Sequence, residues 1–443
     1  MLFRQFVDDD LGCASYLIGD DSSGEAVVVD PGFAIEQYLE SAKREGVRLQ
    51  RVLETHTHAD HVSGHGRFAL EHGVAVAIHP AAEPEYEFDP LEDGDEIAVG
   101  SVAIRVVHTP GHRPEHCAFT VSDRGRSDEP WLTLTGDSLF VGEAARPDLA
   151  VEAAEGAREL YHSLQRLLEL PDGVEVHPGH VSGSLCGAGM DPKRSTTIGF
   201  ERRFNRAFAH QDEDEFVAES IRAGVRPPNM ERIVELNRGP FVGAQPEPQE
   251  LANPPEGVQV VDVRPVEAFA AGHVAGAVSV PVSGTAFSTK AAFVLDSGPV
   301  VVTASDEVEA TEAIVGLRSA GVLEIAGYLL GGGPESLGLV SIGELDRLLE
   351  QGAELIDVRE KDERDTGYIA GSRNIPYRLI ALGADDLPRD KPIVTICETG
   401  PRAAIAASIL AARGFDAHPV WNGGIDSWAA AGKPTVEFRR CGS

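Results

Sequence analysis

The sequence predicts a multidomain α/β protein, and three observations predict it. Short apolar runs alternate with helical stretches, and each run gives way to Gly, Pro or a polar residue. A non-periodic, proline-rich stretch, Gly239-Pro240 through Asn253-Pro254-Pro255, divides the chain. Beyond it the sequence repeats at an offset of 95 residues: Val261-Asp262-Val263-Arg264 returns as Ile356-Asp357-Val358-Arg359, Gly272-His273 as Gly367-Tyr368, and Val280-Pro281 as Ile375-Pro376. At 443 residues the chain is too long for one core. These marks predict three domains, 1–237, 238–335 and 336–443.

In the first domain, Ala26–Val29 is a predicted strand that ends at Asp30-Pro31-Gly32, followed by an amphipathic helix over Phe33–Glu45. Val52-Leu53 closes an apolar run and leads into Thr55-His56-Thr57-His58-Ala59-Asp60-His61, then Ser63-Gly64-His65-Gly66. Further strands are predicted over Val74–Ile78, Ser101–Val107, Trp131–Thr135 and Glu175–His177. The last three run into His108-Thr109-Pro110-Gly111-His112, Gly136-Asp137 and Pro178-Gly179-His180. Polar groups thus stand where strands become loops, and a sheet beneath such groups fixes their positions. Three imidazoles and a carboxylate within His56–His61 are costly to place together without a cation to share, and these are the donors that Fe, Zn and related divalent metals take.

His-x-His-x-Asp-His, Pro-Gly-His, Gly-Asp and Pro-Gly-His, in that order over the first 200 or so residues, resemble the metallo-β-lactamase fold, which implies an αββα sandwich with metal at one edge of two packed sheets. The resemblance leaves the chemistry open. Hydroxyacylglutathione hydrolases, which are similar, use an equivalent set to hold two metals with the counterpart of Asp137 bridging. Persulfide dioxygenases, also similar, hold one Fe(II) through the counterparts of His56, His112 and Asp137, and His58, Asp60, His61 and His180 then orient ligands and water. Gly136–Gly142 followed by Arg146-Pro147-Asp148-Leu149 is closer to the dioxygenase pattern, which implies that Arg146 reaches the anionic part of a thiol cosubstrate. The segment after His180, through Cys186 to Asn205, looks like that of bacterial dioxygenases fused to rhodaneses. Cys186 is either a holder of sulfane sulfur or a small buried thiol.

Asp-Val-Arg, the Gly-(His/Tyr)-(Ile/Val)-x-Gly-(Ala/Ser) run and a closing Gly-Gly-x-x-x-Trp together resemble rhodanese, and the two repeats imply small parallel α/β domains. In the second, a strand over Pro392–Ile396 runs into Cys397-Glu398-Thr399-Gly400-Pro401-Arg402 and a helix over Ala403–Arg413. A thiol ringed by loop amides at a helix N-terminus lies in an anion-stabilising nest that favours thiolate or persulfide. This matches the six-residue active loop of sulfurtransferases, with Cys397 as nucleophile, Arg402 on the oxyanion of thiosulfate or sulfite, and Glu398, Thr399 and Gly400 lining the loop. In the first repeat, aligning Gly321 with Gly414 puts Ala304 at the cysteine position and Glu309 at the arginine position. That copy is expected to be inactive and to act as a docking and interface module.

The chain has 71 acidic and 38 basic residues, a formal charge of −33, and no basic stripe, which argues against nucleic acid and anionic membrane as partners. Five scattered cysteines, the absence of a signal-type apolar core near Met1 and the lack of a membrane-length apolar run together predict a soluble cytoplasmic enzyme with free thiols. The combination predicts a persulfide dioxygenase–sulfurtransferase for sulfide detoxification, with one Fe(II) per chain. Its partners would be a low-molecular-weight thiol persulfide (of glutathione, coenzyme A or another thiol), O2, and sulfite or thiosulfate, in a homodimer or tetramer. The alternatives are a dinuclear Zn thioester hydrolase with an accessory sulfurtransferase, and a non-enzymatic sulfur-relay or sensing protein.

Overall fold

The structure is a computed structural model, and it describes residues 1–147, 152–181, 191, 193–210, 212–221 and 228–437. The chain divides into two compact units, Met1–Gln245 with Arg318–Gly321, and Pro246–Leu317 with Val322–Ser443.

The first unit contains two six-stranded sheets. One runs, in spatial order, β1 (Leu2–Val7), β2 (Ala14–Asp20), β3 (Glu25–Val29), β4 (Arg48–Leu53), β5 (Ala75–Ile78) and β6 (Asp89–Pro90). The other contains β7 (Glu96–Val99), β8 (Val102–His108), β9 (Cys117–Asp123), β10 (Leu132–Gly136), β11 (Glu175–Pro178) and β12 (Thr196–Thr197), also in sequential order. Alternation along each strand sorts the side chains into layers. Tyr16, Ile18, Val27 and Val29 from the first sheet pack with Ile104, Val106, Phe119 and Leu134 from the second. On the first sheet's other face, Leu17, Val28 and Val52 pack with Tyr38 and Phe68 from the helices Glu36–Glu45 and His65–His72. On the second sheet's other face, Ala118 and Val176 pack with Leu160 and Leu164 of the helix Ala153–Leu167. This is the αββα arrangement expected from the sequence.

The predicted start of the first helix moves. The first helix begins at Glu36, not Phe33, because Ile35 is wholly buried and the preceding Gly32 N–H is held by the Tyr38 hydroxyl at 2.9 Å. Phe33 to Ile35 therefore enter the core as a loop. The proline-rich stretch also begins docked to the first unit: Phe241 stacks on Tyr86 at 4.4 Å between ring centroids, and the Ala244 N–H donates to Glu71.

The second unit holds two four-stranded parallel sheets of the same topology. The first copy has the order β14 (Val278–Ser279), β13 (Gln259–Asp262), β15 (Val300–Ala304), β16 (Ile325–Leu330); the second has β18 (Arg373–Asn374), β17 (Glu354–Asp357), β19 (Ile393–Ile396), β20 (Ala417–Pro419). One apolar cluster runs through both copies, from Val261 and Val302 to Ile356 and Leu410. The copies also meet through polar contacts: the Ser279 N–H donates to Ser408 Oγ at 3.0 Å, and Trp421 Nε1–H donates to Glu267 Oε1 at 2.8 Å. Among the described residues, no helix is long and apolar enough to cross a membrane.

Candidate metal centre and sulfurtransferase loop

The ends of β3, β4, β8, β10 and β11 supply one polar cluster in the first unit. His56, His112 and Asp137 are all buried, and one ligand atom from each lies within 4.8 Å of the others. Asp137 Oδ2 is 3.9 Å from His56 Nε2 and 3.7 Å from His112 Nε2. The partners of the opposite ring nitrogens fix both tautomers. The Thr55 hydroxyl donates to Asp30 Oδ2 at 2.8 Å, so it accepts from His56 Nδ1 at 2.9 Å. The Arg146 carbonyl can only accept, so His112 Nδ1 carries the proton across their 3.2 Å contact. Both Nε2 lone pairs therefore converge with Asp137 on one point. Burial holds His56 and His112 below the usual histidine range, so both are neutral. Burial works against ionisation of Asp137, but the neighbouring His180 and His112 hold its pKa at about 2. Two neutral imidazoles and a carboxylate fit a divalent cation.

The surrounding residues orient this set. Asp137 receives the His180 Nδ1 contact on Oδ1 at 2.8 Å, and its N–H donates to His116 Nε2 at 2.9 Å. His180 spends its other nitrogen on Asp60 Oδ2 at 2.7 Å. Gly179 makes room for this pairing, because a Cβ there would lie 2.5 Å from Asp137 Oδ1. His58 Nε2 lies 3.1 Å from Glu54 and 3.3 Å from Asp30, and these hydrogen bonds overcome burial to raise its pKa well above the usual value. His58 Nδ1 and His61 Nε2 are buried with no hydrogen-bond partner among the described residues.

The pattern of the sequence did not point to Cys13. A backbone bridge pairs it with His180, and its Sγ lies 3.2 Å from Asp60 Oδ2, 3.4 Å from His180 Nε2 and 3.6 Å from His61 Nδ1. Burial, reinforced by Asp60, pushes the Cys13 thiol up, which keeps it protonated and able to donate to Asp60. The local signal was slight, a thiol after Gly12 at the entry to the wholly buried β2. Glu54 and Asp30 were also missed as site residues; each is a carboxylate directly after an apolar strand. Arg146 is half-buried and offers its carbonyl to His112. Cys186 lies outside the described residues.

In the second unit, Cys397 follows β19 and is buried; the Gly400 N–H donates to its Sγ at 3.1 Å. Gly400 has φ 120° and lies against the Trp421 ring, where a Cβ would come within 2.8 Å. Pro401 and Arg402 already form the first turn of the helix Pro401–Ala412, while Glu398 and Thr399 are exposed. Both Arg402 Nη atoms donate to Glu363, at 2.7 Å each, and Glu398 Oε2 lies 3.8 Å from Nη2. In the first copy, Asp262 pairs with Thr303 as Asp357 pairs with Ile396, so the register puts Ala304 at the Cys397 position, and counting on without a gap puts Glu309 at the Arg402 position. There Glu309 Oε2 accepts the Ser305 N–H at 2.5 Å, and Asp306 caps the Glu309 N–H at 2.9 Å.

The metallo-beta-lactamase superfamily model matches residues 8–180, and the rhodanese-like domain model matches 247–334 and 341–431. A bovine mitochondrial persulfide dioxygenase, ETHE1, is 30% identical over 44% of this chain and 74% of its own length. A probable polyketide biosynthesis zinc-dependent hydrolase, BaeB of Bacillus velezensis, is 29% identical over 42% of this chain and 80% of its own. Among solved structures, a metallo-beta-lactamase from Staphylococcus aureus aligns with TM-score 0.69 and 29% identity, over 74% of this chain and 99% of that one.

Proposed function

We propose that this chain, which belongs to the metallo-β-lactamase superfamily and carries two rhodanese-like domains, is a persulfide dioxygenase joined to a sulfurtransferase. The reaction of the first unit is R–S–SH + O2 + H2O → R–SH + sulfite + two protons. His56, His112 and Asp137 would hold a single Fe(II), which supplies the redox chemistry that O2 needs to react with a persulfide sulfur. The one observation that carries this reading is how Asp137 is used. One oxygen faces His56 and His112, and the other is taken by His180, whose second nitrogen is itself taken by Asp60. A carboxylate so divided favours one cation over two. Thr55 and the Arg146 carbonyl keep the two imidazoles in the ligating tautomer, and His180 fixes the plane of the carboxylate. Arg146 would guide the anionic part of the thiol carrier.

In the third domain Cys397 would carry sulfane sulfur between persulfide and sulfite or thiosulfate, with Glu398, Thr399 and Gly400 forming the loop around it. The first repeat would contribute structure. A soluble, cytoplasmic role in sulfide detoxification follows from the same reading. The unpartnered His58 Nδ1 and His61 Nε2, with the likeness to BaeB, favour a second reading as a dinuclear zinc hydrolase.

The test is O2 uptake by anaerobically Fe(II)-loaded protein given glutathione persulfide, with metal counted on the same sample. Persulfide-dependent uptake with about one iron per chain, lost in His112→Ala, supports the dioxygenase. Two zinc ions with thioester cleavage and no uptake would replace it with the hydrolase.

A further inference from the structure

Two ion pairs in the second rhodanese-like copy have different fates in the first. Arg359 grips Asp357 beneath the sheet, at 3.0 Å through Nε and 2.8 Å through Nη2, and the first copy repeats this as Arg264 on Asp262, at 2.9 and 2.6 Å. The Arg402–Glu363 pair is not repeated. At the same register Arg402 becomes Glu309, and the 95-residue offset turns Glu363 into Ala268. The pair kept in both copies serves the fold; the pair present only beside the thiol serves the thiol's chemistry.

Glu363 is held firmly in place. Its Oε2 accepts the Glu360 N–H at 3.0 Å in a capping box, and Glu360 is gripped in turn by Arg378 at 2.9 Å on each oxygen. Its carboxylate therefore meets the guanidinium edge to edge and takes one N–H from each Nη, the pair that would otherwise grip an oxyanion bidentately. With Glu398 also nearby, the entrance to Cys397 has two carboxylates around one guanidinium. A dianion entering this space meets net repulsion; a sulfur donor whose charges lie away from the sulfane sulfur does not.

Taking Cys397 as a sulfur carrier, as proposed above, the geometry points to Glu363 as a specificity-determining residue that closes Arg402 to thiosulfate and leaves the loop to organic persulfides. With a persulfide, the Cys397 thiolate attacks the terminal sulfur of R–S–SH and forms a new S–S bond while the donor's S–S bond breaks. The leaving R–S⁻ takes up the proton, giving Cys397–S–S⁻ and R–SH with no net oxidation. With thiosulfate the leaving group is sulfite, a dianion released against Glu363 and Glu398. By microscopic reversibility the same carboxylates slow sulfite as an acceptor, so exchange with sulfite or thiosulfate is the slow half-reaction in both directions.

The experiment loads the full-length protein with thiosulfate or with glutathione persulfide and follows the gain of one sulfur by whole-protein mass, with Cys397→Ser as the blank. The wild type is expected to load from the persulfide at least about tenfold faster than from thiosulfate, and Glu363→Gln to raise the thiosulfate rate about tenfold while changing the persulfide rate less than about twofold, the size of one charge-assisted contact. Glu398→Gln, which leaves the capping box intact, should raise the thiosulfate rate by about threefold, as expected of a longer, exposed pair, and decides the matter if the first variant does not fold. A fall in both rates in Glu363→Gln would reduce Glu363 to a structural role, and an unchanged thiosulfate rate in both variants would overturn the proposal. Equal wild-type loading from both donors would also end it while leaving Cys397 as a carrier. Loading from neither would instead overturn the sulfurtransferase reading itself.

Discussion

The two rhodanese-like copies share sheet order, strand register and a buried Asp–Arg pair, yet only one presents a thiol. In the second copy β19 stops at Ile396 and the helix starts at Pro401, leaving Cys397 to Gly400 as an open loop. In the first, β15 continues through Ala304 and the helix starts at Glu307, leaving only Ser305 and Asp306 between them. The tighter turn is closed by its own carboxylates, since Glu309 takes the Ser305 amide that a bound anion would need. Loss of the nucleophile and loss of the nest go together, while the scaffold below is untouched. A fold and its site thus rest on separable sets of residues.

The largest expected effect follows directly. Cys397→Ser should abolish sulfur loading, because nothing in the first copy replaces it; the mass of the persulfide-treated protein is the measurement. Loading that persisted and mapped to the first copy would break the contrast outright. O2 uptake by the metal-loaded variant should survive, since, among the described residues, the metal cluster draws none from this loop.

What the copies share should fail equally. Asp262 and Asp357 are wholly buried, and each has its arginine as a bidentate partner. Arg264→Ala or Arg359→Ala removes the bidentate partner of a buried carboxylate, at a cost of about 3–5 kcal/mol, with Arg364 Nε still 4.0 Å from Asp357 in the second case. Denaturant midpoints of the two variants, each in the full chain, should fall by similar amounts. A large loss from Arg359 alone would show that this pair serves the loop as well as the scaffold.

Much of this contrast was legible in the sequence, as was most of the metal cluster, for a shared physical reason. His56, His112, Asp137, His180 and Cys397 each follow an apolar run and sit among Gly, Pro or other loop-forming residues, so periodicity and composition mark them locally. What stayed hidden depends on distant partners. Cys13 meets His180 across 167 positions of chain, and Glu363 meets Arg402 across 39, while neither has a distinctive neighbourhood of its own. Arg402 read as an open anion-binding cation because nothing near it in sequence reveals that Glu363 occupies it. The late start of the first helix was hidden for a similar reason: Phe33 to Ile35 fit the helical period, but the burial of Ile35 is decided by packing with the sheet residues Leu17, Val28 and Val52.

A smaller effect separates the copies by pH. Burial opposes ionisation of Glu363, but the Arg402 hydrogen bonds and charge win and hold its carboxyl below the usual range. A group with a depressed folded pKa contributes stability above its unfolded pKa and loses it as pH falls through the folded value. Wild type should therefore exceed Glu363→Gln by about 1 kcal/mol near neutrality, a modest figure because the pair is partly exposed, and the two should converge in acid. Denaturant midpoints measured across this range would check it. Ala268, at the equivalent place, gives the first copy no such dependence.

The smallest expected effect is the most diagnostic. Ala304 is fully buried at the end of β15, and Ala304→Cys, in a Cys397→Ser background, returns a thiol to the nucleophile's position in the fold. If a thiol at that register were sufficient, mass measurement would show sulfur loading from glutathione persulfide. None is expected. The Ser305 amide remains committed to Glu309, the turn holds two residues instead of four, and Asp306 and Glu309 stand where the active copy has Thr399 and Arg402. A thiol so placed is buried beside carboxylates, which disfavours the thiolate. Loading of Ala304→Cys at a rate near that of native Cys397 would mean that the nest and the guanidinium add little, and that the cysteine alone distinguishes the two copies.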